Sequence, residues 1–234
     1  MGPMLHTDRE FRAELAEVRE RLILMGARVE EMIARATQAV VERDVDLARQ
    51  TILNDRQVNA DEIEIDRFCL RILALRNPMA SDLRFVTLVL KMVTDMERIG
   101  DLAVNICERA QDLAALPPAP HAQQLEQMGQ LARDMVHQAI DAFIAGDDLK
   151  AHGVIARDDE MDEAYDRFFS EVLADMLVDT SNVRRGVQLQ AAAKYYERIG
   201  DHSTNLAEHV LFQVRGEDHR HRGKLAPGPG AGAT

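Results

Sequence analysis

Apolar residues recur every three or four positions along most of the 234-residue chain, which is the spacing of one face of an α-helix. Short turns containing Pro, Gly, Asp, Asn or Ser interrupt this pattern and divide it into six predicted helices. The predicted N-caps are Thr7-Asp8, Ser81-Asp82, Asp147 and the turn Asp179-Thr180-Ser181-Asn182, and the second predicted helix begins near Asp44. The predicted ends lie near Glu42, Asn77, Leu116, Ala145, Val178 and Arg215. Strong helix formers dominate and only 4 % of residues are aromatic, so the sequence predicts an all-α protein.

The chain repeats itself with a period of one hundred residues. The sequence Glu-Arg-Ile-Gly-Asp occupies residues 97–101 and again residues 197–201, on the third and sixth predicted helices. Asn105 and Glu108 return as Asn205 and Glu208. Similarity at a fixed period indicates duplication of a structural unit, and the natural architecture is two tandem three-helix bundles.

A proline-rich segment separates the two predicted units. We expect four regions in the chain: a first three-helix repeat at 1–116, a linker at 117–121, a second repeat at 122–215, and a disordered tail at 216–234. The tail is predicted to be disordered because it is charged in its first part and contains only Pro, Gly, Ala and Thr at its end.

Charge and composition exclude several classes of function. A net charge of −12 argues against binding to a nucleic-acid backbone, and no apolar window approaches the roughly 20 residues of a membrane-spanning helix. The chain begins with no secretory signal, and Cys69 and Cys107 have no CxxC spacing. We therefore expect reduced, buried thiols and a cytoplasmic protein that neither binds nucleic acid nor inserts into membranes.

The repeated stretch carries two carboxylates four residues apart, which share one helix face. In the first copy, Glu97 and Asp101 lie within an apolar stripe of a helix that is apolar nearly all round, so they need compensating partners. In the second copy, Glu197 and Asp201 share their face with polar residues, and this face could instead be open to water. Gly100 or Gly200 inside a helix indicates close helix approach or room for an ion.

The preceding helix of each repeat carries a further acidic ridge. Residues at spacings of three or four are Asp55, Asn59, Glu62 and Asp66 on the second helix, and Asp158, Asp162 and Asp166 on the fifth. If each ridge faces its repeated stretch, oxygen ligands converge at two related sites, which suits Mg, Mn, Ca or Fe. The alternative is that these ridges are solvated faces paired with Arg.

Catalytic motifs are scarce. The chain has no phosphate-binding Gly-rich loop, no nucleophile elbow, and no Glu-x-x-His pair of the ferritin type. His202 follows Asp201 directly and could join a site, although a single helical His is more often structural or solvated. The sequence therefore predicts a protein that is not an enzyme.

These motifs together resemble the PhoU family. The resemblance rests on both Glu-Arg-Ile-Gly-Asp stretches, on Arg76-Asn77-Pro78-Met79-Ala80-Ser81-Asp82-Leu83-Arg84, and on Asp201-His202-x-x-Asn205, and it covers about residues 8–214. It implies a duplicated three-helix bundle that acts as a cytoplasmic negative regulator of phosphate uptake and of the phosphate-starvation response. It also implies a homodimer that links the ATPase subunit of the phosphate ABC transporter to a sensor histidine kinase.

The resemblance further implies a multinuclear metal cluster of iron or zinc, with manganese or magnesium as alternatives, and no organic cofactor. The implied metal-binding positions are Glu97, Asp101, Asp55 and Asn59 in the first repeat, and Glu197, Asp201, Asp158 and Asp162 in the second. Asn59 stands where a second carboxylate would complete the family's spacing, so the first site lacks one acidic ligand. Two other interpretations stay open: a helical bundle whose role is mainly metal binding, and a regulator of a different transporter.

Overall fold

The computed structural model describes residues 3–118 and 120–215, and within this part of the chain every regular element is a helix. The predicted disordered tail lies outside the described residues. The elements are α1 (Pro3–Glu42), α2 (Val45–Arg76), α3 (Ala80–Ala114), α4 (Ala122–Ala145), α5 (Asp148–Ala156), α6 (Asp158–Val178) and α7 (Val183–Arg215), with a short 3₁₀ turn (Thr180–Asn182) before α7. The predicted all-α class is confirmed.

The fifth predicted helix is divided at Arg157 into α5 and α6, a break that the spacing of apolar residues does not predict. The amide of Arg157 donates to the carbonyl of Val154 at 3.1 Å, a three-residue bond that tightens the end of α5. Asp158, Asp159 and Glu160 then fill the first turn of α6. The negative charges of the exposed Asp159 and Glu160 are favourable beside the N-terminal amides of a new helix.

Two predicted caps are confirmed and two are wrong. The Asp147 carboxylate accepts from the amides at the start of α5, and in the predicted turn before α7 the Asp179 carboxylate accepts from the Ser181 amide. Asp44, predicted only as a helix start, caps α2 in the same way. The Thr7-Asp8 cap is wrong because α1 already begins at Pro3, whose fixed φ suits the first helical position. The Ser81-Asp82 cap is wrong because α3 begins at Ala80, directly after the extended residue Met79, and has no side-chain cap.

The central part of the fold is a four-helix bundle of α1, α3, α7 and α4. Each of these helices contacts the next, and α4 also contacts α1. Helix α2 packs on α1 and α3, whereas α5 and α6 pack on α4 and α7. The two repeats run in opposite directions. A Cβ at Gly26 would overlap Ile140 whereas one at Gly129 would overlap Thr37, so α1 and α4 are antiparallel.

Helices α3 and α7 are antiparallel as well. Asp95 pairs with His202, and farther along α3 the Arg109 guanidinium donates to Gln188 Oε1 at 3.0 Å. The repeated stretches at 97–101 and 197–201 therefore lie side by side near the middle of the molecule. The α2–α3 and α6–α7 turns lie at opposite ends.

Buried polar contacts join the repeats within this central bundle. Tyr196 is fully buried and donates from its hydroxyl to Thr37 Oγ1 at 3.0 Å, which links α7 to α1. Both cysteines are free and buried, as predicted, and burial raises the pKa of the Cys69 and Cys107 thiols to about 12. Such thiols stay protonated at neutral pH and are poor nucleophiles.

None of the described helices combines the length with the hydropathy that crossing a bilayer requires.

Candidate functional site

The α2–α3 interface contains the first acidic cluster, which we define as Asp55, Asn59, Glu62, Glu97 and Asp101. The Asn59 amide donates to Asp55 Oδ2 at 2.7 Å, so this residue partly compensates the carboxylate beside it. Burial and then the charge of Asp101 raise the pKa of Asp55, against the opposing effect of that hydrogen bond. The first-repeat residues predicted from the sequence thus do lie together.

Glu97 is the more enclosed of the two carboxylates in this copy of the repeated stretch, with its side chain 17 % exposed against 43 % for Asp101. Burial and the charge of Asp101 raise its pKa, and Glu62 and Asp55 add to this, while Arg98 opposes it. Arg98 is 58 % exposed and lies 3.4 Å from both Glu97 and Asp101. One surface arginine therefore faces several carboxylates, and the cluster keeps an excess of negative charge.

The second acidic cluster, which we define as Asp158, Asp162, Glu197 and Asp201, lies where α6 meets α7. Burial raises the pKa of Asp158, and the charges of Asp201 and Asp162 raise it further. Glu197 turns instead to Lys194, whose Nζ lies 2.6 Å from Glu197 Oε1. The two clusters are therefore related in sequence but differ in their ion pairs.

The repeated glutamates are similarly enclosed in the two halves. Glu197 is 13 % exposed, against 17 % for Glu97. An open, wet face is thus wrong for Glu197, whose Oε2 is buried, although Asp201 one turn later is exposed. The spacing of residues on α7 alone does not reveal this enclosure.

Gly100 and Gly200 mark close helix approach, one of the two readings given by the sequence. A Cβ at Gly100 would lie 3.4 Å from Val58 Cγ1 and 3.5 Å from Asp55 Oδ1, so α2 packs directly on the glycine. A Cβ at Gly200 would lie 3.3 Å from Met161 Cγ of α6. Each glycine therefore brings its acidic helix against the repeated stretch.

The side chains of both clusters offer oxygen ligands, which suit a cation that prefers oxygen. Asp55 Oδ1, Asn59 Oδ1 and Glu197 Oε2 are buried and have no hydrogen-bond partner, which is costly for polar oxygens. Among the described residues, however, no three His, Cys, Asp or Glu side chains already stand close enough to hold one ion. The oxygens fit a cation in kind and in burial, and binding requires side-chain rotation toward it.

A third polar group joins the two repeats and was missed by sequence reasoning. Asp95 of α3 is 15 % exposed, and its two carboxylate oxygens lie 2.9 Å from His202 Nδ1 and 3.1 Å from His209 Nε2 of α7. Burial alone would raise the pKa of Asp95, but the two histidine hydrogen bonds and charges outweigh it and lower the pKa.

His202 therefore serves a different carboxylate from the one beside it in sequence. Consecutive helical residues point about 100° apart, so His202 turns toward α3, whereas Asp201 turns toward α6 and Asp158. His202 and His209 are seven residues apart and hence share a face, which was the available signal. Their partner became identifiable only through the antiparallel packing of α3 and α7.

Comparison with known proteins gives a consistent result across the whole fold. The PhoU domain model matches residues 22–110 and 125–210, one segment in each repeat. The PhoU homolog of Pseudomonas putida, named as a phosphate-specific transport system accessory protein, is 40 % identical over 93 % of this chain and 86 % of its own length. The Escherichia coli K12 protein of that name is 34 % identical over 93 % of this chain and 90 % of its own length.

Solved structures agree with this assignment. The crystal structure of PhoU from Pseudomonas aeruginosa superposes with a TM-score of 0.86 at 38 % identity, covering 88 % of this chain and 100 % of the other. The phosphate transport system regulatory protein PhoU from Streptococcus pneumoniae gives a TM-score of 0.83 at 29 % identity, covering 89 % and 98 %. With a matched domain in each repeat and relatives of similar length and the same fold, this chain belongs to the PhoU family.

Proposed function

We propose that this chain is a cytoplasmic regulator of phosphate homeostasis that restrains phosphate uptake and the phosphate-starvation response when phosphate is plentiful. The observation that carries the proposal is identity of 34–40 % over 93 % of the chain to proteins named as accessories of a phosphate-specific transport system. These relatives are named as accessory or regulatory proteins, in keeping with a role that is not catalytic.

In this proposal the chain acts as an adaptor. One surface binds the ATPase subunit of the phosphate ABC transporter, another binds the sensor histidine kinase, and the working form is a homodimer. The long exposed face of α2, which lies outside the central four-helix bundle, offers one such surface. Binding of the transporter to the chain would thereby change the state of the kinase.

The adaptor role is tested by binding of purified components. The full chain is immobilised and exposed to the transporter's ATPase subunit and to the cytoplasmic part of the kinase, with the ATPase subunit of an unrelated ABC transporter as the matched control. We expect the first two to bind and the control not to bind. Absence of binding to both would contradict the adaptor, and binding of the control ATPase alone would favour a regulator of a different transporter.

A second candidate function is metal binding, favoured by the buried, unpartnered oxygens Asp55 Oδ1 and Glu197 Oε2. The cation would be iron or zinc, or else manganese or magnesium, and it would neutralise carboxylates whose burial and mutual repulsion raise the pKa of Asp55 and Asp158. The residues that would hold it are Asp55, Asn59, Glu97 and Asp101 in the first cluster, and Asp158, Asp162, Glu197 and Asp201 in the second.

Metal binding is tested on full-length protein stripped with a chelator. We expect stoichiometric uptake by elemental analysis and a higher Tm on addition of one of these ions, because an ion bound only by the folded state stabilises it. Asp158→Asn should reduce the uptake, and the control Glu163→Gln, at a position 75 % exposed on α6, should not. Protein that takes up none of the four ions and keeps its Tm would exclude this function.

A further inference from the structure

The outer surface of the second repeat carries an exposed apolar strip, which we call the α6–α7 seam. It consists of Phe169, Leu173 and Leu177 on α6 together with Val183 and Val187 on α7, and these residues are 41–77 % exposed. The core of the repeat is filled by other residues of the same helices, such as Phe168 and Val172. Contiguous exposed apolar side chains of this kind mark interaction surfaces in soluble proteins.

The seam is continuous because α6 and α7 lie close together and antiparallel. The Gln190 side-chain amide donates to the backbone carbonyl of Phe169 at 2.9 Å, which fixes the register of the two helices. Toward the α6–α7 turn, a Cβ at Gly186 would overlap the Met176 side chain, so this side chain of α6 packs directly against the backbone of α7. In this register Leu173 lies level with Val187.

Charges border the seam on its side nearer the middle of the molecule. Asp162 and Asp166 are exposed on α6, and Lys194 and Arg198 are exposed at the same level on α7. The acidic edge thus belongs to one helix of the pair and the basic edge to the other. A surface with this pattern is complementary to itself, because a two-fold rotation brings each acidic edge opposite a basic one.

The equivalent surface of the first repeat is less apolar. The acidic clusters align α2 with α6 at an offset of 103 residues, so Leu70, which is 58 % exposed, corresponds to Leu173, but Asp66 and Ala74 stand in place of Phe169 and Leu177. On α3, Leu83 is as exposed as Val183, whereas the polar Thr87 stands in place of Val187. One self-complementary surface on one repeat closes a dimer, whereas two would extend a chain of subunits.

We propose that the α6–α7 seam is the contact surface between two copies of this chain, with α6 of each copy packed on α7 of the other about a two-fold axis parallel to the helices. The assignment rests on the homodimer of the proposed function but is independent of the role in phosphate regulation. From Asp162 to Val178 the strip is about 24 Å long at 1.5 Å per residue. Two helices of that length give an interface near the lower end of stable dimers, so dissociation depends on protein concentration.

Sedimentation equilibrium of the full chain tests the proposal. We expect dimers that dissociate on dilution, with Leu173→Glu and Val187→Glu each weakening association more than about tenfold, since a charge would be placed in an apolar contact. The matched control is Leu53→Glu, on α2 and 59 % exposed, which should dimerise like the unaltered chain. A chain that stays monomeric, or seam variants that dimerise as strongly as the control, would overturn the proposal.

A cross-linking measurement tests the arrangement itself. Leu173→Cys protein is mixed with Val187→Cys protein under mild oxidation, while the native cysteines are buried. We expect a mixed disulfide between the two variants, and none when Leu53→Cys replaces Leu173→Cys. Equal cross-linking of both mixtures, or of neither, would contradict packing of α6 on α7 of the partner. Phosphate-responsive gene expression is measured in a separate experiment, so a negative cross-linking result counts against the seam and not against the proposed role in phosphate regulation.

Discussion

Asp95 is the side chain whose charge joins the two repeats. Its carboxylate is mostly buried at the α3–α7 interface and is held by His202 and His209, both from the other repeat. A buried carboxylate with charge-assisted hydrogen bonds stabilises the arrangement that supplies them, and it destabilises any arrangement that removes them. The stabilisation that Asp95 gives to the contact between the repeats therefore depends on pH.

Replacing Asp95 should destabilise the protein at neutral pH. We expect Asp95→Asn to lower the free energy of unfolding by about 1.5–3 kcal/mol, the usual contribution of hydrogen bonds to a charged group. Because the folded state lowers the pKa of Asp95, its stabilisation is complete above the ordinary value of 3.8 and is lost as the pH falls through the lower folded value. Urea unfolding at several pH values measures this difference.

The control for Asp95 is Asp112→Asn, farther along α3, where the carboxylate is 48 % exposed beside Arg109. This change should stay within about 0.5 kcal/mol, as is usual for surface positions. An Asp95→Asn protein as stable as this control at neutral pH would contradict the assigned role.

Asp158 should behave in the opposite way. Its pKa is raised in the folded state by burial and by Asp201 and Asp162, so its negative charge opposes folding at neutral pH. We expect Asp158→Asn to raise the Tm of chelator-treated protein, while Glu163→Gln leaves it unchanged. The Asp158 effect should diminish as the pH is lowered, because the carboxyl group then takes up a proton first in the folded protein. A lower Tm for Asp158→Asn at neutral pH would be inconsistent with this electrostatic account.

At the scale of elements, glycines set the distances between the antiparallel helices. Gly129 of α4 faces Thr37 of α1, and a Cβ there would come within 2.9 Å of Thr37 Cβ. Thr37 is β-branched, donates to the Ile33 carbonyl at 2.8 Å and accepts from Tyr196, so it has little freedom to move aside. The α1–α4 contact between the repeats thus depends on the missing side chain.

Gly129→Ala should destabilise the protein by about 1–3 kcal/mol, the usual cost of overpacking a close interface. The matched control is Gly153→Ala, also inside a helix, where nothing lies within 4 Å of the new Cβ. Since Ala favours helix over Gly, this control should stabilise by about 0.5–1 kcal/mol. Thermal or urea unfolding of both variants checks the difference, and equal stability of the two would contradict the packing described.

At the scale of the whole molecule, local patterns predicted the helices and the duplication well. Asp147 was identifiable as a cap because its role depends on the next few residues only. The exact one-hundred-residue repeat placed Gly100 and Gly200 beside the acidic helices, and the structure has them there. Short-range spacing is sufficient for features of this kind.

Features that depend on the relation between the repeats were not predictable in the same way. Asp95 and His202 are more than one hundred residues apart, and their contact exists only because the repeats run antiparallel. Likewise, the spacing of apolar residues along one helix records neither the enclosure of Glu197 nor the break at Arg157. A repeat in sequence fixes what each unit is but leaves open how two units face one another.

The central claim is that this chain restrains the phosphate-starvation response, and gene deletion tests it most directly. Expression of a phosphate-responsive reporter is measured in phosphate-rich medium in three strains: the parent, a deletion of this gene, and the deletion complemented with the full chain. The account predicts a repressed reporter in the parent, a strongly induced one in the deletion, and repression again on complementation. A reporter that stays repressed in the deletion strain would contradict it.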